Sequence, residues 1–409
     1  MSLFAESEIV IIGGGAIGCG VAYSLAEAGK RDILLVEREG DVGQVTTSQG
    51  AGLCGQVRSS VERVRLAMHS VDTFRELQRD PEMKPDWHEV GSIRLAFSPS
   101  RVQELRRLQA VCEQAGLEVA LIGRAEAERL WPPLDLSAVQ AVLWCPSDGY
   151  MTPLAVAKAY EHRCRRMGVR FETGAAATGI TCSDGRVAAV QTDRGEVRCQ
   201  MAIDAAGAHA YHVARLAGLE LPIVPVRHEY YDTVPLRGLH PGLPCFRIPE
   251  MTLYGRATGE RLRLGGWEAH ALSADPRSYR LEEDAPVVEA DQRVLDGFEE
   301  QYARLLPEAR GASRTRVGKG WPTFTPDGRF IIGESRRLKG FVMAGGCNAH
   351  GISGSAGIGR LLVESLFDPH PSDYVRSLSP DRFTERLWNW DTARRRAQHV
   401  YETYYALGR

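Results

Sequence analysis

The chain has 409 residues, a formal net charge of −2 at neutral pH, and 44% hydrophobic against 25% charged residues. A near-neutral balance gives no reason to expect nucleic acid or an anionic membrane as partner, and the apolar fraction excludes disorder for the whole. The length exceeds what one hydrophobic core usually serves, so two domains are expected. Nine cysteines, scattered without CxxC or His–Cys spacing, point to free thiols in a reducing cytoplasm, and no metal site is expected.

The first predicted element is a β-branched apolar run, Ile9 to Ile12, read as a buried parallel strand. It leads into Gly13-x-Gly15-x-x-Gly18, a helix with Ile17, Val21 and Leu25 on one face, and a second strand, Ile33 to Val36, ending in Glu37. Gly13 permits the tight turn, Gly15 lets the backbone approach a pyrophosphate, and Gly18 lets helix and strand pack closely. The helix N-terminus supplies N–H groups to the diphosphate, and Glu37 stands where a carboxylate accepts from ribose hydroxyls. The pattern indicates a dinucleotide without saying which. No Lys or Arg precedes this glycine-rich stretch, so it is not a secretory signal, and no other stretch reaches transmembrane length without charge.

Further along, residues 60–79 and 100–116 read as amphipathic helices, with a strand pair between them at Trp87 to Phe97. A helix is expected from about Ala155 to Met167, after Thr152-Pro153. Short strands follow, with a turn at Ser183-Asp184-Gly185 and a small-residue loop at Ala205-Ala206-Gly207. Residues 222–267 read as strands of a second sheet, Arg316 to Gly333 as loop and strand, and 341–367 as strand, glycine loop and helix. The tail after Pro369 is polar and helical, with Trp388 and Trp390 available to dock it. This order implies a discontinuous nucleotide domain (1–80, 146–220 and 320–375). A more antiparallel domain (81–145 and 221–319) and a helical tail (376–409) complete the expected plan.

Seven segments beyond the fingerprint extend the reading: TTSQGAGL (Thr46–Leu53), HEVGSIRLA (His88–Ala96), PSDGYMTPLAV (Pro146–Val156), IDAAGAHA (Ile203–Ala210), PVRHEYYDT (Pro225–Thr233), TPDGRFIIG (Thr325–Gly333) and GCNAHGISGSAGIGRLL (Gly346–Leu362). In this order they resemble the D-amino-acid oxidase-like superfamily of FAD oxidoreductases, on the branch of sarcosine and dimethylglycine dehydrogenases and sarcosine oxidases. The resemblance implies an α/β fold: a Rossmann-like, glutathione-reductase-like FAD-binding domain with an inserted, mainly antiparallel α+β substrate domain. It implies FAD at Gly13, Gly15, Ala16, Ile17, Gly18, Glu37 and Arg38, and along the loop Thr46, Thr47, Ser48, Gln49, Gly50, Ala51, Gly52 and Leu53. It also implies Ala177 at the adenine and Ala206 and Gly207 at the ribityl chain. Gly346, Asn348, His350, Gly351 and Ile352 would stand at the pyrimidine edge, where a helix N-terminus stabilises the anionic reduced flavin.

Two departures from the resemblance bear on the cofactor. Gln49 stands where related dehydrogenases attach FAD through histidine, and Gly320 where monomeric sarcosine oxidases use cysteine. Neither side chain can form the link, so FAD is expected to be non-covalent. A third departure, Arg263 in place of a lysine over the flavin, leaves the oxidant open between O2 and an electron carrier. On the substrate side the resemblance implies Arg58 as candidate carboxylate anchor, His228 and Tyr230 at the flavin face, Tyr254 and Arg256 as a second ring and anion contact, His350 as a donor at the pyrimidine edge, Trp321 flanking the ring and Lys319 as a further anion-anchor candidate. The expected activity is hydride removal from the C–N bond of a small secondary or tertiary amine or N-methyl amino acid, giving an imine. Rival readings are oxidation of a D-amino acid, imino acid or 2-hydroxy acid. Another is a flavin-carrying subunit of a sarcosine- or opine-type oxidase, with the tryptophan tail exposed as its interface, or a homo-oligomer. With the chain ending at Arg409, no folate-binding module is expected.

Overall fold

A computed structural model describes residues 5–385 and 388–407. The fingerprint folds as read: β1 (Ile9–Ile12), α1 (Ala16–Glu27) and β2 (Ile33–Glu37). β1 lies at the centre of a six-stranded sheet, paired in parallel with β2 on one side and with Met201–Asp204 on the other. Arg170–Thr173 extends the sheet beyond β2, and Phe341–Gly345 extends it beyond Met201–Asp204. An antiparallel edge strand, Ile331–Glu334, completes it. β1 and the first four residues of β2 are buried on both faces, which is why their sequences are continuous rather than alternating. α1 packs against the helix Ser355–Phe367 so closely that a side chain at Gly20 or Gly359 would strike the other helix's backbone. Small residues on both helices are therefore a packing requirement.

A second, eight-stranded sheet is antiparallel except where Cys245–Ile248 runs parallel to Ser92–Ala96. Its strand order is Arg314–Gly320, His228–Pro235, Arg261–Gly266, Leu253–Thr258, Cys245–Ile248, Ser92–Ala96, Ala141–Cys145 and Ala120–Ile122. One face packs on the helix Gln292–Tyr302 through Leu295, Phe298 and Tyr302. The opposite face looks toward the six-stranded sheet and forms the floor of the site below.

Three readings of the sequence need correction. Trp87 to Phe97 is not a strand pair: Gly91, in the left-handed region at φ +77°, breaks the run. His88 bridges Tyr150, and only Ser92–Ala96 joins the large sheet. The helices Arg124–Leu130 and Gln292–Tyr302 were not anticipated. The tail does not expose Trp390, which is buried, donates from Nε1 to Glu220 (2.8 Å) and packs edge-on against Tyr211. Asp80, Glu82 and His162 meet on the surface with ligand atoms within 4.8 Å, and they also engage one another and Arg166 in ion pairs. Among the described residues no helix is long and apolar enough to cross a membrane.

Candidate functional site

A cavity of about 300 Å³ runs from the glycine fingerprint to the face of the eight-stranded sheet. At its first end Gly13 takes φ +108°, and a side chain there would meet the carbonyl of Ala205 at 2.7 Å. A side chain on Gly18 would overlap the Gly13 carbonyl, so this glycine packs the turn and does not line the cavity. Gly15 caps α1 without a side-chain hydrogen bond, leaving the first turn facing the cavity beside Ala16 and Ile17. Thr47 Oγ1 accepts from the Ala16 N–H at 3.0 Å and ties the following loop to that helix end.

Glu37 accepts from the N–H of Gly14 (2.5 Å) and of Glu39 (2.8 Å). Burial raises its pKa in spite of those donors. Arg38 lines the same end while pairing with Asp284. Ala177, the first residue of the strand Ala177–Ser183, stands there with Ala206, Gly207 and His209.

The loop after β2 lines the middle of the cavity through Thr46, Thr47 and Gln49 to Leu53. Ser48 turns away, donating to the carbonyls of Gln44 and Val45. Gly351, Ile352 and His350 line the cavity from the opposite loop. Gly346 (φ +62°) and Asn348 shape that loop from behind: Asn348 accepts from the Thr325 N–H (3.1 Å) and donates to the Gly346 carbonyl.

The sheet end is ordered by register. Gly318, Tyr230, Gly265, Tyr254, Arg247 and Arg94 are successive cross-strand partners and share one face. Side chains on Gly318 or Gly265 would strike the rings of Tyr230 and Tyr254, so the glycines let both tyrosines lie across the sheet. Tyr230 donates to the Gly50 carbonyl at 3.1 Å. One register step toward the cavity, His228 stands with Nε2 2.7 Å from the Tyr254 hydroxyl and Nδ1 3.1 Å from that of Tyr401. Burial pushes His228 down to about 4, so it is a neutral imidazole with one donor and one acceptor.

One step the other way lie Arg263 and Arg256, which do not reach the cavity. Arg263 forms a bidentate pair with Asp232 (2.7 Å to both oxygens), and both guanidiniums donate to the Ala51 carbonyl. The two arginines thus brace the loop instead of facing a ligand: Asp232 is the cross-strand neighbour of Arg263, and Arg263 that of Arg256. Trp321 and Lys319 are likewise outside: Trp321 donates to the Pro286 carbonyl and Lys319 pairs with Glu289.

Arg58 does line the cavity. Burial, together with the nearby Arg247 guanidinium, pushes it down to about 10, still charged at neutral pH. Among the lining residues that escaped the sequence reading are Arg247, Trp267 and Tyr404. Tyr404 comes from the end of the C-terminal helix region, stacks on Trp267 at 3.8 Å and stands 3.0 Å from His350 Nε2. Burial keeps His350 well below the usual imidazole range and hence neutral. The register row of tyrosines and arginines was latent in the alternation of strands 228–235 and 253–258; nothing local marked Tyr404.

The donor set fits FAD: a turn closed to any Cβ at Gly13 and Gly18, a helix end whose Gly15 cap makes no side-chain hydrogen bond, a half-buried carboxylate at the second strand tip, and a neutral aromatic wall at the far end. Mouse mitochondrial sarcosine dehydrogenase is 28% identical, the alignment covering 98% of this chain and 44% of that protein. Rat mitochondrial dimethylglycine dehydrogenase is 27% identical over 98% of this chain and 47% of its own. The chain thus spans about half the length of these relatives. The crystal structure of L-proline dehydrogenase from P. horikoshii superposes with a TM-score of 0.83 at 22% identity, covering 94% of this chain and 99% of that one. The profile of the DAO family, FAD-dependent oxidoreductases, matches residues 8–365, and the chain belongs to that family, with FAD as its cofactor.

Proposed function

We propose that the protein oxidises the C–N bond of a small secondary or tertiary amine, with an N-methyl amino acid of the sarcosine or dimethylglycine kind as the leading substrate class. The observation that carries this reading is the continuity of the cavity, from the fingerprint to a wall of Tyr230, Tyr254, His228 and Trp267 with Arg58 beside it. The six-stranded sheet side would hold FAD and the eight-stranded side the substrate. FAD, when bound, supplies the hydride acceptor for such an oxidation.

The chain's own residues have simpler tasks. Arg58 pairs with the substrate carboxylate and fixes the orientation of the C–H bond. The neutral imidazoles of His228 and His350 add no positive charge beside an amine that must shed its proton before oxidation. The aromatic wall keeps bulk water from the reacting carbon. Residues 46–53 and 346–352 would enclose the flavin, held without a covalent bond because Gln49 and Gly320 carry no linking group. The nine cysteines are free thiols, eight of them wholly or partly buried, which favours a reducing compartment such as the cytoplasm.

Anaerobic mixing of the flavin-loaded protein with a panel of N-methyl amino acids, primary D- and L-amino acids and 2-hydroxy acids tests the reading. Bleaching by secondary or tertiary amino acids is expected. Bleaching by hydroxy acids or primary amino acids alone overturns it.

A further inference from the structure

The sheet end of the cavity holds more positive charge than one carboxylate anchor requires. Arg58 and Arg247 both line it, and Arg63 and Arg94 stand close enough that all four guanidiniums act on the phenol of Tyr404. Arg247 is the register partner of Tyr254 on one side and of Arg94 on the other, so it belongs to the same face as the aromatic wall. Its guanidinium donates to the Tyr405 hydroxyl at 3.3 Å, and Arg58 donates to the carbonyl of its own neighbour Val57 at 2.9 Å. Among the described residues neither forms an ion pair. Asp148 is in electrostatic reach of both, yet it is occupied by the Gln56 N–H, the Gln56 amide and the Ser92 hydroxyl.

Burial and the neighbouring Arg247 weaken the charge of Arg58, while Tyr405, Tyr404 and Asp148 hold Arg247 charged, so this end of the cavity keeps a surplus of positive charge that an anionic ligand would complete. The diphosphate of FAD is not that ligand on this layout. Its helix end and glycine turn belong to the six-stranded sheet, whereas Arg247 and Arg94 lie on the eight-stranded one.

We propose that the substrate carries two carboxylates: a secondary amino acid, such as an N-carboxyalkyl amino acid, whose second carboxylate is received by Arg247 while the first lies at Arg58. Arg63 and Arg94 add to the attractive potential without lining the main cavity. The bidentate geometry of a guanidinium suits a second carboxylate, and among the described residues no acidic side chain lines this end of the cavity, Asp148 being engaged by Gln56 and Ser92 behind it. This assignment rests on the amine-oxidation reading and narrows its substrate class.

The test uses the flavin-loaded protein and two unreactive anions of similar size, succinate and butyrate, titrated while the visible flavin spectrum is followed. Succinate is expected to bind at least tenfold more tightly than butyrate. The ratio should fall to about one in Arg247→Met and stay above one in Arg247→Lys, which also serves if the methionine variant does not fold. Equal affinities in the unaltered protein, or a ratio unchanged in both variants, overturn the proposal. Anaerobic bleaching by N-methylglycine and by its N-carboxymethyl counterpart is read separately. A preserved binding ratio with no bleaching by any amine sinks the oxidation reading alone, and bleaching with a ratio of one sinks the two-carboxylate site alone.

Discussion

The side-chain amide of Gln49 fills the space that any side chain at Gly320 would need, so the two positions that the sequence resemblance compares with flavin-attachment sites meet in the cavity. Neither offers a sulfur or an imidazole. Flavin released into the supernatant by acid precipitation, and a protein band without flavin fluorescence after denaturing electrophoresis, are the expected outcomes. Yellow colour retained by the denatured chain contradicts them.

Two glycine substitutions separate packing from mere flexibility. At Gly18 a methyl group would overlap the backbone carbonyl of Gly13, which cannot yield without opening the turn. Gly18→Ala should cost about 1–3 kcal/mol in unfolding free energy and lower the flavin retained on purification. Gly297 sits inside the helix Gln292–Tyr302 with nothing near the added methyl. Gly297→Ala should therefore stabilise by up to about 1 kcal/mol. Urea unfolding of both variants checks the opposite signs.

Much of this layout was legible in the sequence because it is local. The fingerprint carries its own strand, turn and helix within thirty residues, and Gly13 and Gly18 each have a steric reason. Arg58, His228, Tyr230, Tyr254 and His350 were named from their segments and do line one cavity. Arg256 and Arg263 were named by the same reasoning and do not, because Asp232, a neighbour only in sheet register, captures Arg263. Register across eight strands is set by long-range pairing that no window of sequence displays. For the same reason Arg247 and Tyr404 went unseen: one gains its role from a parallel neighbour about 150 residues earlier, the other from a tail that folds back over the site.

The buried histidines fix the acid side of the stability profile. Burial depresses His209 and His228 to about 4, and His350 lies well below its usual value. For a base whose folded pKa is depressed, the unfolded chain takes up its proton first. The stability held above pH 6.5 is then lost as pH falls toward 4. Each of the three imidazoles contributes proton uptake on unfolding in that window, offset in part by Glu229 and Asp204, whose carboxyls burial raises, so the melting temperature of His209→Gln should fall less steeply between pH 6.5 and 4.5 than that of the unaltered protein. An identical pH dependence in the two proteins would show that this imidazole is not buried neutral.

Arg58 should behave as a binding group, not as a proton carrier, since it stays charged at neutral pH even at a pKa of about 10. Replacing it by methionine removes a charge-assisted contact of about 1.5–3 kcal/mol, equivalent to roughly a 10- to 150-fold rise in KM for the amine substrate. The rate at saturation should change far less. Steady-state kinetics of Arg58→Met against Arg58→Lys decides: a fall in kcat with KM unmoved would remove Arg58 from the carboxylate-binding role.

Tyr404 closes the wall from the C-terminal tail, and its environment predicts two separable effects. Its ring stacks on Trp267 at 3.8 Å, and its hydroxyl stands 3.0 Å from His350. Burial opposes ionisation of the phenol, but the guanidiniums of Arg58, Arg247 and Arg63 outweigh it and hold the pKa below the ordinary value. Tyr404→Phe keeps the stacking and removes only the hydroxyl, so its cost should be about 1 kcal/mol or less. Tyr404→Ala also uncovers Trp267, adding the loss of an aromatic pair worth about 0.5–1.5 kcal/mol and of buried area. Trp267 fluorescence should then shift to longer wavelength and be quenched by acrylamide in Tyr404→Ala, but not in Tyr404→Phe. If both variants leave emission and quenching unchanged, the tail does not seal the cavity, and water reaches the aromatic wall by that route.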